Sequence, residues 1–210
     1  CVVAEPPDYD FDQVCAEPDT NIYYPPSIPE YVNRPVDITY DPGSGHLFVA
    51  DTDNNRINEF DPVNPCMHVA VHGSFGYAPG KYKWPTGIVY ANGNLYVVDY
   101  YDRVQIIDTG GNPVGVEWSV PNDPYGIAAD DAGYIYVTTI NNKIYKYDSS
   151  GNLQGGWPVT VDSPRGIDLD GAGRIYVASP GRKQVVVLDA GGREIAAWGR
   201  YGAGFGEFLM

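Results

Sequence analysis

From residue 34 onward the chain is written in short runs in which apolar and polar side chains alternate, and each run ends in a cluster of Gly, Pro, Asn or Asp. A period of two is that of a strand with one buried face, and the clusters are turn chemistry. The runs favour Val, Ile and Tyr, with no long Ala/Leu/Glu/Lys stretch to build a helix. The expectation is an all-β chain.

The runs recur in a fixed order, four times. Arg34-Pro35-Val36-Asp37-Ile38, Leu47-Phe48-Val49-Ala50-Asp51 and Arg56 to Asp61 form the first set. The second is Trp84-Pro85-Thr86-Gly87-Ile88, Leu95 to Asp99 and Arg103 to Asp108. Asp123-Pro124-Tyr125-Gly126-Ile127, Ile135 to Thr139 and Lys143 to Asp148 make the third, and Ser163-Pro164-Arg165-Gly166-Ile167, Ile175 to Ser179 and Gln184 to Asp189 the fourth. The marker prolines lie 50, 39 and 40 residues apart. A period near 40 with several short strands is the mark of a propeller blade.

The pattern P-x-G-I, then [LI]-Y-V-x-D, then R-[VI]-x-x-x-D-x-x-G resembles the NHL repeat over residues 34 to 208. The resemblance implies a β-propeller of four-stranded antiparallel blades, four of them in this chain and part of a larger, six-bladed ring. Inner strands are expected just after each marker proline, with Gly87, Gly126 and Gly166 letting backbones crowd near the axis; Asp37 departs from the pattern. Outer strands are expected at roughly 68–72, 114–119, 153–160 and 194–198. The linker Gly73 to Trp84 is repeated at Gly199 to Met210, so a further blade or a neighbouring subunit is expected to complete the ring.

Charge changes the functional picture. The net charge is −14, and residues 1–33 hold seven acids with no lysine or arginine. Without a basic footprint, nucleic-acid binding is set aside, and anionic membrane surfaces are repelled. No apolar run reaches the length of a membrane span. Residues 1–33 form an acidic tail and 34–210 the blades, with Ile22-Tyr23-Tyr24 a candidate outer strand.

Cys1, Cys15 and Cys66 leave three readings open. Cys1 and Cys15 bridge; or Cys1 carries a lipid anchor after processing and Cys15 pairs with Cys66; or all three are free thiols. No ligand set for zinc or haem is present, and no cofactor is expected.

Asp51 with Arg56, and Asp99 with Arg103, close the second and third strands of the first two repeats. They disappear together in the third (Thr139, Lys143) and fourth (Ser179, Gln184), which suits a structural ion pair within a blade. Asp51 to Asn55 begins like a calcium loop, but Arg56 and Pro62 stand where Gly and Glu are required. His68 and His72 would lie about 13 Å apart along a strand, and His46 falls in a turn, so packing roles are expected for all three.

In a propeller the loops entering the inner strands and those joining the second and third strands share one face. Tyr125 and Arg165 fall in the first kind. Asn54 and Asn55, Tyr100, Tyr101 and Asp102, Asn141 and Asn142, and Arg182 fall in the second. These positions vary between repeats, and loops on a rigid scaffold carry recognition, so they are the candidate binding residues for a protein partner or neighbouring subunit. The third repeat also resembles streptogramin-lyase propellers, and NHL-like propellers include peptidylglycine amidating lyases. Their metal-binding or active-site histidines have no counterpart here. The expectation is an extracytoplasmic binding or scaffold module that is not an enzyme. The alternatives are a lyase or hydrolase whose catalytic residues lie in other blades, and a structural subunit of an assembly.

Overall fold

The computed structural model describes residues 32–63 and 68–208. All three cysteines and Ile22-Tyr23-Tyr24 lie outside the described residues, as does most of the acidic tail.

Every element among the described residues is a strand, and the strands form four sheets of four. Blade 1 contains β1 (Pro35–Tyr40), β2 (Leu47–Asp51), β3 (Arg56–Phe60) and β4 (His68–His72). Blade 2 contains β5 (Pro85–Ala91), β6 (Asn94–Asp99), β7 (Arg103–Ile107) and β8 (Pro113–Ser119). Blade 3 contains β9 (Pro124–Ala129), β10 (Ile135–Thr139), β11 (Lys143–Tyr147) and β12 (Val159–Thr160). Blade 4 contains β13 (Ile167–Leu169), β14 (Ile175–Ser179), β15 (Gln184–Leu188) and β16 (Glu194–Trp198). Neighbours within each sheet pair antiparallel, in sequence order.

Two elements are shorter than expected. The outer strand of blade 3 is reduced to Val159–Thr160 plus a single bridge between Tyr147 and Leu153. Gly155 and Gly156 between them have no side chain to pack, and Pro158 cannot donate to a ladder. The inner strand of blade 4 starts at Ile167, although Arg165 N still donates to Ala178 O at 2.9 Å.

Strand alternation gives each blade two apolar faces, and successive blades stack through them. Phe48, Ala50 and Ile57 of blade 1 pack on Ile88, Leu95, Val97 and Ile107 of blade 2. The other face of blade 2 (Tyr96, Val98, Val104) packs on Ile127, Ile135 and Val137 of blade 3. Tyr136 and Ile144 of blade 3 then meet Ile175, Val177 and Val186 of blade 4. The inner strands β1, β5, β9 and β13 pack in that order side by side. Their closeness explains the repeated glycines: a Cβ at Gly126 would stand 2.5 Å from Arg165 O, and one at Gly87 2.9 Å from Tyr125 O.

The described residues form no closed ring. β1 and β13 share no packed interface of the kind that joins neighbouring inner strands. Blade 1 therefore presents Ile38, Leu47, Val49 and Phe60 to a cleft of about 610 Å³. These are the repeat positions of Ile88, Leu95, Val97 and Ile107, which are buried against the preceding blade. Ile38 is 55% exposed where Ile88 is 2%. The cleft is thus an interblade packing face without its blade, and its shape reflects the repeat rather than a ligand.

Candidate functional site

The face that carries the candidate residues is built by a latch between blades. In each turn between second and third strands one residue takes the left-handed conformation: Asn55 (φ 56), Asp102 (φ 56), Asn142 (φ 68) and Lys183 (φ 57). Asn and Asp tolerate that region because their short side chains bond locally. Here the side chains instead reach the next blade. Asn55 Oδ1 accepts from Trp84 N at 2.9 Å, Asp102 Oδ1 from Asp123 N at 2.6 Å, and Asn142 Oδ1 from Ser163 N at 2.8 Å. The three receiving residues are themselves left-handed and each precedes its marker proline. In blade 4 the position is Lys183, which has no side-chain acceptor.

Other candidate side chains are also committed to structure. Asn54 donates to Asp51, and Asn141 Oδ1 accepts from Thr139 Oγ1 at 2.5 Å. Arg182 pairs with Glu194 at 2.7 Å. Asp51 is fully buried, with Arg56 Nε at 2.7 Å and further donors from Asn33 and Asn58. Asp99 is equally buried and takes Arg103 at 3.2 Å; Arg103 also donates to the carbonyls of Tyr77 and Lys81. Burial raises the Asp99 carboxyl, and the Arg103 hydrogen bond opposes it.

What remains uncommitted on this face is aromatic and cationic. On blade 2, Tyr77 stacks on Tyr101 at 3.9 Å and Trp84 meets Tyr100 edge-on at 5.2 Å. The Lys83 ammonium lies 5.2, 4.9 and 5.3 Å from the ring centres of Trp84, Tyr100 and Tyr101, distances at which a cation is attracted by the ring face. Burial, with Tyr77 beside it, pushes the Tyr101 phenol up to about 12. Between blades 3 and 4, the Arg165 guanidinium lies 4.8 Å from the Tyr125 ring centre.

The inner strands add a group that the repeat does not. Asp37 replaces the glycine of the other three repeats, and its carboxylate joins the first two blades: Oδ2 accepts from Ile88 N at 2.9 Å and Oδ1 from Ile38 N at 2.9 Å. Thr39 Oγ1 accepts from Tyr90 N in the same manner. Burial raises Asp37 from 3.8 to about 6 against these two bonds, and the charge of Asp168 on the inner strand of blade 4 adds to the rise.

The histidines are brought closer than their spacing suggests. His46 Nδ1 and His72 Nε2 stand 2.6 and 2.8 Å from the two oxygens of Glu59, which is 8% exposed. Two of the three share one carboxylate, because a turn and the outer strand flank Glu59 across the sheet. Burial, with the nearby Arg56 charge, holds the His68 imidazole below its ordinary value. Among the described residues no group of three His, Cys, Asp or Glu is placed to hold a metal ion, and no helix is long and apolar enough to cross a membrane.

Comparison with known proteins agrees with the architecture. Residues 32–60 match the NHL repeat. No curated protein matches the chain. Among solved structures it is similar to a streptogramin B lyase, with 15% identity and a TM-score of 0.59 over 80% of this chain and 56% of that one. Virginiamycin B lyase from Staphylococcus aureus gives 16% and 0.58 over 75% and 53%. Hydrazine synthase of Kuenenia stuttgartiensis gives 17% and 0.63 over 85% and 52%. The chain thus spans about half the length of these structures.

The expectation that the chain is not an enzyme is corrected: the three solved structures that share its fold are enzymes, which argues against a firm exclusion of catalysis. Asp37 and Asp168 stand on inner strands at different repeat positions, and so leave no periodic trace.

Proposed function

We propose that this chain is the propeller portion of an enzyme of lyase or hydrolase type, in which Asp37 transfers a proton at the channel. The observation that carries the reading is the carboxyl of Asp37, set where the other repeats have glycine and raised to about 6 opposite Asp168. A general base works best with a pKa near its working pH, and that of Asp37 is raised to about 6. The remaining reacting groups then come from residues outside the four blades. Similarity to two lyases supports a bond cleavage that adds no water.

Streptogramin B is the first probe, followed by mass spectrometry. Lyase products sum to the mass of the substrate, whereas hydrolysis adds one water. Activity is expected to rise with pH through about 6 and to fall by about 10²-fold or more in Asp37→Asn, the scale of a lost general base. Full activity in that variant would exclude Asp37 from the chemistry.

Recognition by the same face is a second reading, favoured by the ring cluster around Lys83. Tyrosine and tryptophan offer rigid contact area at low entropic cost. Replacing Trp84 and Tyr100 together by alanine is then expected to raise KM and leave kcat unchanged.

A further inference from the structure

We infer that Arg165 and Tyr125 form a binding site for an oxyanion, a carboxylate or phosphate carried by a small ligand, at the seam between blades 3 and 4. The inference does not rest on the catalytic reading of Asp37.

Arginine in this chain is otherwise always neutralised. Arg34, Arg56, Arg103, Arg174, Arg182, Arg193 and Arg200 each have a carboxylate oxygen between 2.6 and 3.4 Å. Arg165 has none among the described residues, in a sequence with 27 acids and 13 lysines and arginines.

The placement of Arg165 is rigid. Arg165 N donates to Ala178 O at 2.9 Å within blade 4, and its carbonyl accepts from Thr138 Oγ1 of blade 3 at 2.6 Å. The backbone is thereby clamped at the seam, and the guanidinium lies over the Tyr125 ring at 4.8 Å. Stacking fixes the plane of the fork, the geometry from which arginine donates bidentately to a carboxylate or phosphate. One nitrogen, Nη1, is buried with no protein acceptor. A buried donor without a partner is unfavourable, so the protein alone leaves the hydrogen bonding of this guanidinium incomplete.

Tyr125 and Arg165 occupy the same position in successive repeats, the middle of the Pro-x-Gly turn, where repeats 1 and 2 carry Val36 and Thr86. The pair therefore arises at one seam only.

The test is an NMR or calorimetric titration of the full chain with benzoate and, separately, inorganic phosphate. Saturable binding of at least one probe is expected, and the better probe identifies the oxyanion. Arg165→Gln should weaken it about tenfold or more, as expected for charge-assisted hydrogen bonds. Arg165→Lys, which keeps the charge and loses the fork, should fall between, and Tyr125→Ala should weaken it also. Asp37→Asn should leave the titration unchanged, so failure of the catalytic reading would not disturb this result. Binding of neither probe, or equal binding by wild type and Arg165→Gln, overturns the inference. Should Arg165→Gln fold poorly, equal binding by wild type and Arg165→Lys together with Tyr125→Ala overturns it in the same way.

Discussion

The side chain of Asn55 in blade 1 holds the backbone of Trp84 at the entrance to blade 2, Oδ1 to N, at 2.9 Å. The same bond joins Asp102 to Asp123 and Asn142 to Ser163, so one turn residue per blade fixes the start of the next. Asn55→Ala loses the bond and places alanine in a left-handed conformation, and a cost of about 1–2 kcal/mol is expected. Asn55→Gly loses only the bond. Urea denaturation of the two variants should rank alanine below glycine, and both below wild type.

Asp99 and Arg103 are buried together, and the chain contains its own replacement in Thr139 and Lys143 at the same positions of blade 3. Asp99→Ala leaves the guanidinium with only the half-exposed Glu117 carboxylate, 3.3 Å away, and about 2–3 kcal/mol should be lost. The double change Asp99→Thr with Arg103→Lys should recover part of that loss. Equal destabilisation by single and double variants in thermal melts would show that the two residues act separately.

Four blades, their order and their strand boundaries, except for the outer strand of blade 3 and the start of the inner strand of blade 4, are legible in the sequence because a period near 40 repeats the same buried positions and the same turns. The latch is not. Asn55, Asp102 and Asn142 look like freely varying loop residues, and their partners are backbone amides more than twenty residues away. Glu59 is equally silent, since its contacts with His46 and His72 run across strands. Asp37 is visible as a departure from glycine, but its bond to Ile88 and its place opposite Asp168 depend on how blades stack. Variation within a repeat marks where blades differ; only the stacking distinguishes a residue facing solvent from one facing the next blade.

Asp37 should make stability depend on pH in a defined direction. Its folded pKa of about 6 lies above the ordinary 3.8, so the folded state holds the proton more tightly. The stabilisation is complete below about pH 4 and is lost as pH rises through 6. Asp37→Asn keeps an acceptor for Ile88 N and removes the titration. Above pH 6 the variant should be more stable than wild type by about 2 kcal/mol, and the difference should shrink toward pH 4. Guanidinium denaturation at several pH values measures it; a difference independent of pH would contradict the assignment.

Ile38 and Ile88 stand at one repeat position in opposite environments, 55% and 2% exposed. Ile88→Asp puts a charge into the core between blades 1 and 2 and should unfold the chain. Ile38→Asp should cost no more than about 0.5 kcal/mol in residues 1–210, as surface changes do, and should lower the fluorescence of a bound hydrophobic dye. A large cost for Ile38→Asp would mean that the flank of blade 1 is covered in solution.

The two linkers give a final comparison. Phe75 bridges Tyr82, and Tyr201 bridges Phe208 in the same parallel manner. Tyr82 N donates to Ser74 O at 2.9 Å, and Phe208 N to Arg200 O at 2.8 Å. In both, a left-handed glycine lies against the ring: a Cβ at Gly73 or Gly199 would stand 2.4 Å from Cε2 of Tyr82 or Phe208. The linkers thus differ at this ring by one hydroxyl and by burial, Phe208 being 40% exposed. Tyr82 is fully buried, and its oxygen has no protein partner. Burial also pushes its phenol well above the ordinary value. Desolvating a hydroxyl without a hydrogen bond is unfavourable, while the ring packs identically without it. Tyr82→Phe, the residue the second linker already uses, should therefore raise stability by about 1 kcal/mol. A loss of stability in urea denaturation would instead show that the Tyr82 hydroxyl is hydrogen-bonded in solution.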